Sequence, residues 1–365
     1  MIAFLALVAL VSNADDNSAN AIITLLNSRA SGSVKTYVEA AKEVEKGAKA
    51  GKSLHQYVLG VFSGDRVLSE ALGLTKADAE RYLSASREKI LDLAEQKGNA
   101  LAWYLLSIEK NDYSMLKRGA DGNNVQALNA YGTYLLNEAI GSPSVSSNDF
   151  EKVARQCFTM FGKAAAMKDA NGLFNIGTCY MRGIGCAKDM DLALDAFRSS
   201  AEMGHPGAIN NLGGFYRDGV VVRKNPELAV KWFEKSAALG ESYGELNLAL
   251  AYQRGDGVER DLKKAGALLA KSAAQGNIEA MAAYGTCLYK GEGVDKNDAE
   301  AIKWFRASAR EGFAPAMESL AYCYSKGIGV NKSDRDALIW RIRARAASGD
   351  INAASWLKQN GHKLR

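Results

Sequence analysis

Five glycines recur at a nearly fixed interval: Gly204, Gly240, Gly276, Gly312 and Gly349 are separated by 36, 36, 36 and 37 residues. A second set keeps the same step. Gly183-Ile184-Gly185, Gly255-Asp256-Gly257, Gly291-Glu292-Gly293 and Gly327-Ile328-Gly329 recur, while Gly219-Val220-Val221 has lost one glycine. A period between 30 and 40 residues, kept over five copies, leaves few folds open. It is the length of one helix–turn–helix unit in a stacked array.

Each period predicts two antiparallel helices. In the first, helix A, Ala208, Leu212 and Tyr216 are four apart and share one face. In the second, helix B, Ala229, Trp232, Phe233 and Ala237 follow helical spacing, and Pro226 suits a first turn, where no N–H is needed. The first glycine of each loop is expected to stop helix A, and the glycine ending the period to stop helix B. Composition agrees: few Pro (4) with many Ala, Leu, Glu and Lys favours helix, and the 35 Gly must then keep to fixed places, because Gly inside a helix costs about 1 kcal/mol relative to Ala. Small residues also recur inside the helices. Gly177, Gly213, Ala249, Gly285 and Ala321 share a helix A position, and Ala193, Ala229, Ala265, Ala301 and Ala337 share a helix B position. Both rows predict close approach of backbones. Trp232, Trp304 and Trp340 share another position and are expected to supply the bulk of the packing. A single pair cannot bury its own apolar faces, so stability must come from stacking neighbours.

The repeated text reads Leu-Gly-x-x-Tyr-x-x-Gly-x-Gly-Val, then Ala-x-x-Trp/Phe, then Lys-x-Ala-x-x-Gly. It resembles the Sel-one-like repeats, relatives of the tetratricopeptide repeats. The resemblance covers residues 170–349, with departures at Val221 and at Leu288, where other copies carry Tyr. It implies an all-α fold, a right-handed α-solenoid superhelix of antiparallel helix pairs with the A helices on the concave side. It also implies a scaffold or regulatory adaptor that binds another protein or peptide without catalysis. Relatives include exported proteins stapled by regular disulfides. Two rival readings stay open: an enzyme acting on cell-wall or lactam compounds, as suggested for some relatives, and a structural subunit of an envelope complex.

The flanks are read separately. Residues 2–11 form an unbroken apolar run, followed by Ser12-Asn13-Ala14. Ten apolar residues cannot span a bilayer, which needs about 20. Residues 1–14 are therefore expected to be a signal peptide cleaved near Ala14, giving a periplasmic or secreted protein. Residues 15–50 are expected to be a helical segment, 51–169 divergent helical repeats, and 350–365 a terminal cap. Within 51–169, helices are expected over 126–138 and 151–167, around a loop at 141–149. No later segment is apolar enough to cross a membrane. Net charge is +5, and residues 332–365 carry all of it, with eight Lys/Arg against three Asp. The body is neutral, which argues against a nucleic-acid partner, and a monomer is expected.

The residues that could carry chemistry are few. Cys179, Cys287 and Cys323 share one helix A position, Cys186 replaces a loop valine, and Cys157 falls on the helix B alanine position. Each replaces a small apolar residue, so free buried thiols are expected; Cys179–Cys186 is the pair best placed to bond if any does. His55, His205 and His362 are scattered, and no Cys-x-x-Cys occurs, so neither metal nor cofactor is expected. Ser200, Ser236, Ser272 and Ser308 are periodic and are read as small packing residues. One row suggests binding. Arg182, Arg254, Lys290 and Lys326 share a position near the end of helix A, and Asp218 breaks the row beside Arg217. With helix A on the inner face, these cations would suit an acidic segment or a chain-terminal carboxylate. Phe174, Asn210 and Tyr322 lie on variable helix A positions and join the candidate contact set.

Overall fold

The computed structural model describes residues 22, 25, 26, 34–95, 98–142 and 145–361. The expected signal segment and His362 lie outside them. Every element among the described residues is an α-helix. In order they are α1 (Val34–Lys49), α2 (Ser53–Phe62), α3 (Arg66–Leu72), α4 (Lys76–Glu95), α5 (Ala100–Lys110), α6 (Tyr113–Asp121), α7 (Val125–Gly141) and α8 (Ser147–Ala166). Then come α9 (Ala170–Arg182), α10 (Met190–Glu202), α11 (Pro206–Asp218), α12 (Pro226–Ala238), α13 (Ser242–Arg254) and α14 (Leu262–Ala274). The last five are α15 (Ile278–Lys290), α16 (Asp298–Arg310), α17 (Ala314–Lys326), α18 (Asp334–Ala347) and α19 (Ile351–Gln359). No described helix is long and apolar enough to cross a membrane.

The chain divides into two compact units. The first holds the residues up to 215 together with 220–222; the second holds 216–219 and 223–365. In the first, helices mostly pack on their chain neighbours, with one departure near the start. There α2 packs on α4, and the short α3 packs on α1 instead. Tyr57, Val58, Leu59, Leu105 and Leu106 are fully buried in this core. The Tyr57 hydroxyl donates to Glu109 Oε2, and Arg87 Nε donates to Glu109 Oε1 at 2.7 Å. In the second unit, α13 packs on α14, α15 on α16, and α17 on α18, each pair also meeting the next.

From residue 170 onward the same local devices recur. Helix B always begins at a capping side chain. Asp189, Asn225, Asp261 and Asn297 accept from the amides of Leu192, Leu228, Lys264 and Glu300 at 2.9–3.0 Å, and Ser333 from Asp336 at 3.1 Å. Each such cap contributes about 1 kcal/mol. The loop is closed by main-chain bonds. The amides of Asp189, Asn225, Asp261, Asn297 and Ser333 donate to the carbonyls of Tyr180, Tyr216, Tyr252, Leu288 and Tyr324. Leu288 therefore replaces Tyr without losing the closure, because the bond uses no side chain. The periodic serines do more than pack. Ser200, Ser272 and Ser308 are fully buried, and each donates to the carbonyl that opens helix A of its own pair: Ala170, Ser242 and Ile278, at 2.6, 2.7 and 2.8 Å.

The second loop glycine is required sterically. A Cβ on Gly185, Gly257, Gly293 or Gly329 would collide with the main-chain carbonyl of Ala154, Pro226, Leu262 or Asp298. All four glycines also have left-handed φ, between 64° and 75°. Val221 takes their place with a left-handed φ of 63°, a conformation that strains a β-branched residue, and its side chain is 45% exposed.

One packing expectation needs correction. Trp232, Trp304 and Trp340 are only half-buried. The fully buried bulk lies one position later, at Phe197, Phe233, Leu269 and Phe305. That row fits the small residues of helix A. A Cβ on Gly177 would sit 2.9 Å from the Phe197 ring, and one on Gly285 would sit 2.8 Å from the Phe305 ring. Where helix B offers the smaller Leu269, helix A carries Ala249, in the same apolar cluster. In the last pair the phenylalanine position is Arg341, which is exposed.

Candidate protein-binding surface

In the second unit, one stripe of each A helix runs through exposed and half-buried residues, with Glu318 of α17 exposed beside it. On α13 it runs through Tyr243, Asn247, Leu250 and Arg254; on α15 through Glu279, Ala283, Thr286 and Lys290; on α17 through Pro315, Ser319, Tyr322 and Lys326. These positions are spaced by four, three and four residues, one face of a helix. Side chains on successive A helices meet. Arg217 Nη1 donates to Asn247 Oδ1 at 2.9 Å, Gln253 Nε2 lies 3.2 Å from Cys287 Sγ, and the Tyr289 and Tyr322 rings meet edge to face at 6.3 Å.

Two clefts open along this face. One, of about 260 Å³, is lined by Gln253, Arg260, Ala283, Thr286, Lys290 and Glu292. The other, of about 30 Å³, includes Arg217, Asn247, Leu250, Arg254 and Asp256. Charge of both signs borders each cleft. Lys290 lies 3.7 Å from Glu292. Arg260 Nε donates to the Gln253 carbonyl at 3.0 Å, which fixes the guanidinium beside the larger cleft.

The basic row sits where each A helix ends. Arg182, Arg254, Lys290 and Lys326 are exposed, and each is the last helical residue before a left-handed glycine, at 183, 255, 291 and 327. A cation there complements the helix dipole by about 0.3–1 kcal/mol. Arg217 behaves differently. It pairs with Asp218 through two bonds of 2.8 and 2.9 Å as well as with Asn247, and it holds the Asp218 carboxyl below the usual range. Its guanidinium is committed within the molecule. Phe174, in the first unit, is half-buried; its ring stacks on the His205 ring at 4.4 Å and meets Phe197 at 5.9 Å. Asn210 is half-buried, whereas Tyr322 is 47% exposed.

A second basic row escaped sequence reasoning. Lys188, Lys224, Arg260, Lys296 and Lys332 are 36 residues apart and all exposed. Each directly precedes the helix B cap, and its Cβ approaches where a side chain on the left-handed glycine would begin: 3.5 Å for Lys188, 2.9 Å for Lys224, 3.6 Å for Arg260 and 3.3 Å for both Lys296 and Lys332. The spacing alone could have revealed it.

The thiols are unbonded, and Cys157, Cys179, Cys287 and Cys323 are buried. Burial pushes Cys179 up to about 12 and Cys157 and Cys323 up to about 11, so near neutrality they are thiols and not thiolate nucleophiles. His205 caps α11 by accepting from the Ala208 amide through Nδ1 at 3.2 Å; burial lowers it to about 4, which keeps the ring neutral.

Comparison with known proteins bears on the whole array. The family model described as the Sel1 repeat matches residues 170–205, 206–241, 242–277, 278–313 and 314–347. The crystal structure of a Sel1 repeat protein from Oxalobacter formigenes is similar at 29% identity and a TM-score of 0.54, over 62% of this chain and 89% of that one. The protein c5321, a protective antigen present in uropathogenic Escherichia coli strains and displaying an SLR fold, is similar at 28% identity and a TM-score of 0.49. That likeness covers 87% of this chain and 66% of that one. Immunity protein Pa5087 from Pseudomonas aeruginosa is similar at 18% identity and a TM-score of 0.41, over 61% of this chain and 82% of that one. No curated protein matches the chain.

Proposed function

We propose, from the five Sel1 repeats matched over residues 170–347, a scaffold fold generally used for protein interaction, that the second unit of this chain holds a segment of another protein against the solvent-contacting stripes of α13, α15 and α17. One observation carries the reading. Around these stripes the caps, loop closures and buried rows repeat almost unchanged, while the stripes themselves vary: Leu250, Thr286 and Tyr322 occupy a single repeat position. A constant frame with variable solvent-facing residues is how a repeat array writes partner choice. The clefts beside Leu250 and Thr286 supply the concavity.

Position-specific photo-crosslinking tests this. A photoreactive side chain at Leu250 or Thr286 is expected to capture a defined protein from the native cell. The same group at the exposed helix B positions Glu234 or Lys263 is expected to capture none. Equal capture from both faces would overturn the assignment. The same proposal places the protein outside the cytoplasm, on the strength of the apolar run at residues 2–11, and takes it to be a monomer. Fractionation, with N-terminal sequencing of the recovered protein, checks the location; light scattering checks the state.

A further inference from the structure

The A-helix stripes of the first unit differ in chemistry from those of the second. On α9 the stripe runs through Asn171, Asn175 and Thr178, and on α11 through Gly207, Asn211 and Gly214. They occupy the repeat positions of Tyr243, Asn247 and Leu250. All six are half-buried and none is charged. Three carry side-chain amides, and one of these is braced from below. Asp169, buried at the start of α9, accepts from the Gly172 amide and from Asn129 Nδ2 of α7, both at 2.7 Å. Asn129 Nδ2 also donates to the Val125 carbonyl at 3.0 Å, and Asn129 Oδ1 accepts from Asn175 Nδ2 at 3.1 Å. Asn175 is thereby held in one orientation, with its carbonyl oxygen and second N–H unspent. The side chain of Asn211, one A helix on, makes no hydrogen bond within the described chain.

Gly214 is an observation of a different kind. Its backbone is ordinary helix inside α11, so no left-handed turn calls for glycine. A Cβ there would meet nothing within 4 Å, so no neighbour calls for it either. Gly207 differs, because a Cβ on it would lie 3.1 Å from the Phe174 ring. Glycine inside a helix is less favourable than alanine, and other repeats place Thr178, Leu250, Thr286 and Tyr322 here. What Gly214 supplies is room on the outer side of the helix, one turn from Asn211.

We propose that this face binds the main chain of a partner segment in an extended, polyproline-II-like conformation. Its peptide groups pair with the Asn175 and Asn211 amides, and its backbone passes over Gly214. Hydrogen-bond complementarity selects the occupant. Each peptide group offers one donor and one acceptor, and a side-chain amide offers both in return. The A helices concerned are packed neighbours: Asn129 of α7 bonds Asn175 of α9, and Phe174 of α9 lies against Gly207 of α11. Axes of packed helices lie about 8–10 Å apart, and one polyproline-II turn of three residues advances about 9 Å. Successive turns therefore present the same main-chain face to successive amides. Such a chain has no internal hydrogen bonds to give up. An acidic peptide or a nucleic acid would call for cations, and a sugar ring for an aromatic platform; the six stripe residues include neither. The face lies in the first unit and is independent of the one proposed on α13, α15 and α17.

The experiment uses the full isotope-labelled chain, observed through the side-chain amide NMR signals of Asn175 and Asn211. Three probes are titrated: a capped nonapeptide of alternating serine and alanine, the same peptide N-methylated at every residue, and a tetramer of N-acetylglucosamine. The first is expected to shift both signals at millimolar concentration. The second is expected to bind roughly tenfold more weakly, since its N–H donors are gone. Gly214→Leu is expected to abolish the response while leaving the thermal midpoint unchanged or higher, leucine being the better helix former. Asn211→Ala is expected to weaken the peptide by roughly tenfold as well, and carries the test should the leucine disturb the fold. Equal binding of the two peptides, full binding by both variants, tighter binding of the saccharide, or no shift with any probe would each overturn the proposal. Crosslinking at Leu250 or Thr286 reports on the other face, so failure here and failure there are told apart.

Discussion

Gly285→Ala isolates the packing rule that joins each A helix to its B helix. The new Cβ would sit 2.8 and 2.9 Å from two atoms of the Phe305 ring and 3.3 Å from the Ala301 carbonyl. Carbon atoms prefer about 3.5–4.0 Å, so the overlap is near 0.7 Å on a ring that is itself 2% exposed and cannot swing away. Overpacking of this kind costs about 1–3 kcal/mol. Ala also gains about 1 kcal/mol over Gly within a helix. The net loss is then about 0–2 kcal/mol, too small to diagnose alone. The double-mutant cycle with Phe305→Leu is diagnostic, because Ala249 opposite Leu269 already shows the relaxed pairing in this chain. In the Phe305→Leu background the alanine should become stabilising by about 1 kcal/mol, giving a coupling of about 1–3 kcal/mol. Urea unfolding of the four proteins, followed by circular dichroism, measures it. A coupling below about 0.5 kcal/mol would refute the matched-volume argument.

Val221→Gly should raise stability by about 1 kcal/mol, since the left-handed strain it removes is about 1–2 kcal/mol and little burial is lost; a lower urea midpoint would contradict this. Glu245 occupies a position held by Leu173, Ile209, Met281 and Met317 in the other repeats. Its carboxylate is fully buried, 2.6 Å from Lys271 Nζ without the angle of a hydrogen bond, and it accepts from Gln275 Nε2 at 2.6 Å. Glu245→Met should therefore be neutral or stabilising by about 1–4 kcal/mol, because Lys271 is already largely in water; a loss above about 1 kcal/mol in the same assay would count against it. Acid should weaken the fold through two buried histidines. Burial lowers both His55 and His205 to about 4 from an ordinary 6.5, so the stability each lends is complete above 6.5 and lost as pH falls from there towards 4. The loss reaches up to about 3 kcal/mol for each. His205→Asn, which keeps the kind of cap that Asn277 provides, should flatten part of that acid limb in thermal melts; an unchanged pH profile would remove His205 from the explanation.

Much of the fold was legible because its signals are local. The loop glycines announced left-handed turns, and Gly183, Gly255, Gly291 and Gly327 indeed end their helices that way. Pairing of helices followed from period alone. What escaped was long-range or directional. The tryptophan row looked like the core because it is bulky, yet a helix rotates about 100° per residue, and the buried direction is one position later, through Phe233 and Phe305. The serine row looked like filler because its partner, the carbonyl opening helix A, lies 30 residues away. The candidate face was legible only in part. Its first basic row was visible by period, but the bond of Arg217 to Asn247 and the stacking of Phe174 on His205 depend on neighbouring helices that no single segment encodes.

Hydrogen exchange with mass-spectrometric detection tests the location of the binding face most directly. The full chain is compared with and without a saturating concentration of the protein captured by photo-crosslinking at Leu250 or Thr286. Slowed exchange is predicted at the A-helix ends and the loops after them, residues 250–260, 286–296 and 322–332, with the B helices unchanged. Protection spread over α12, α14 and α16, or none at any of the three loops, would contradict it.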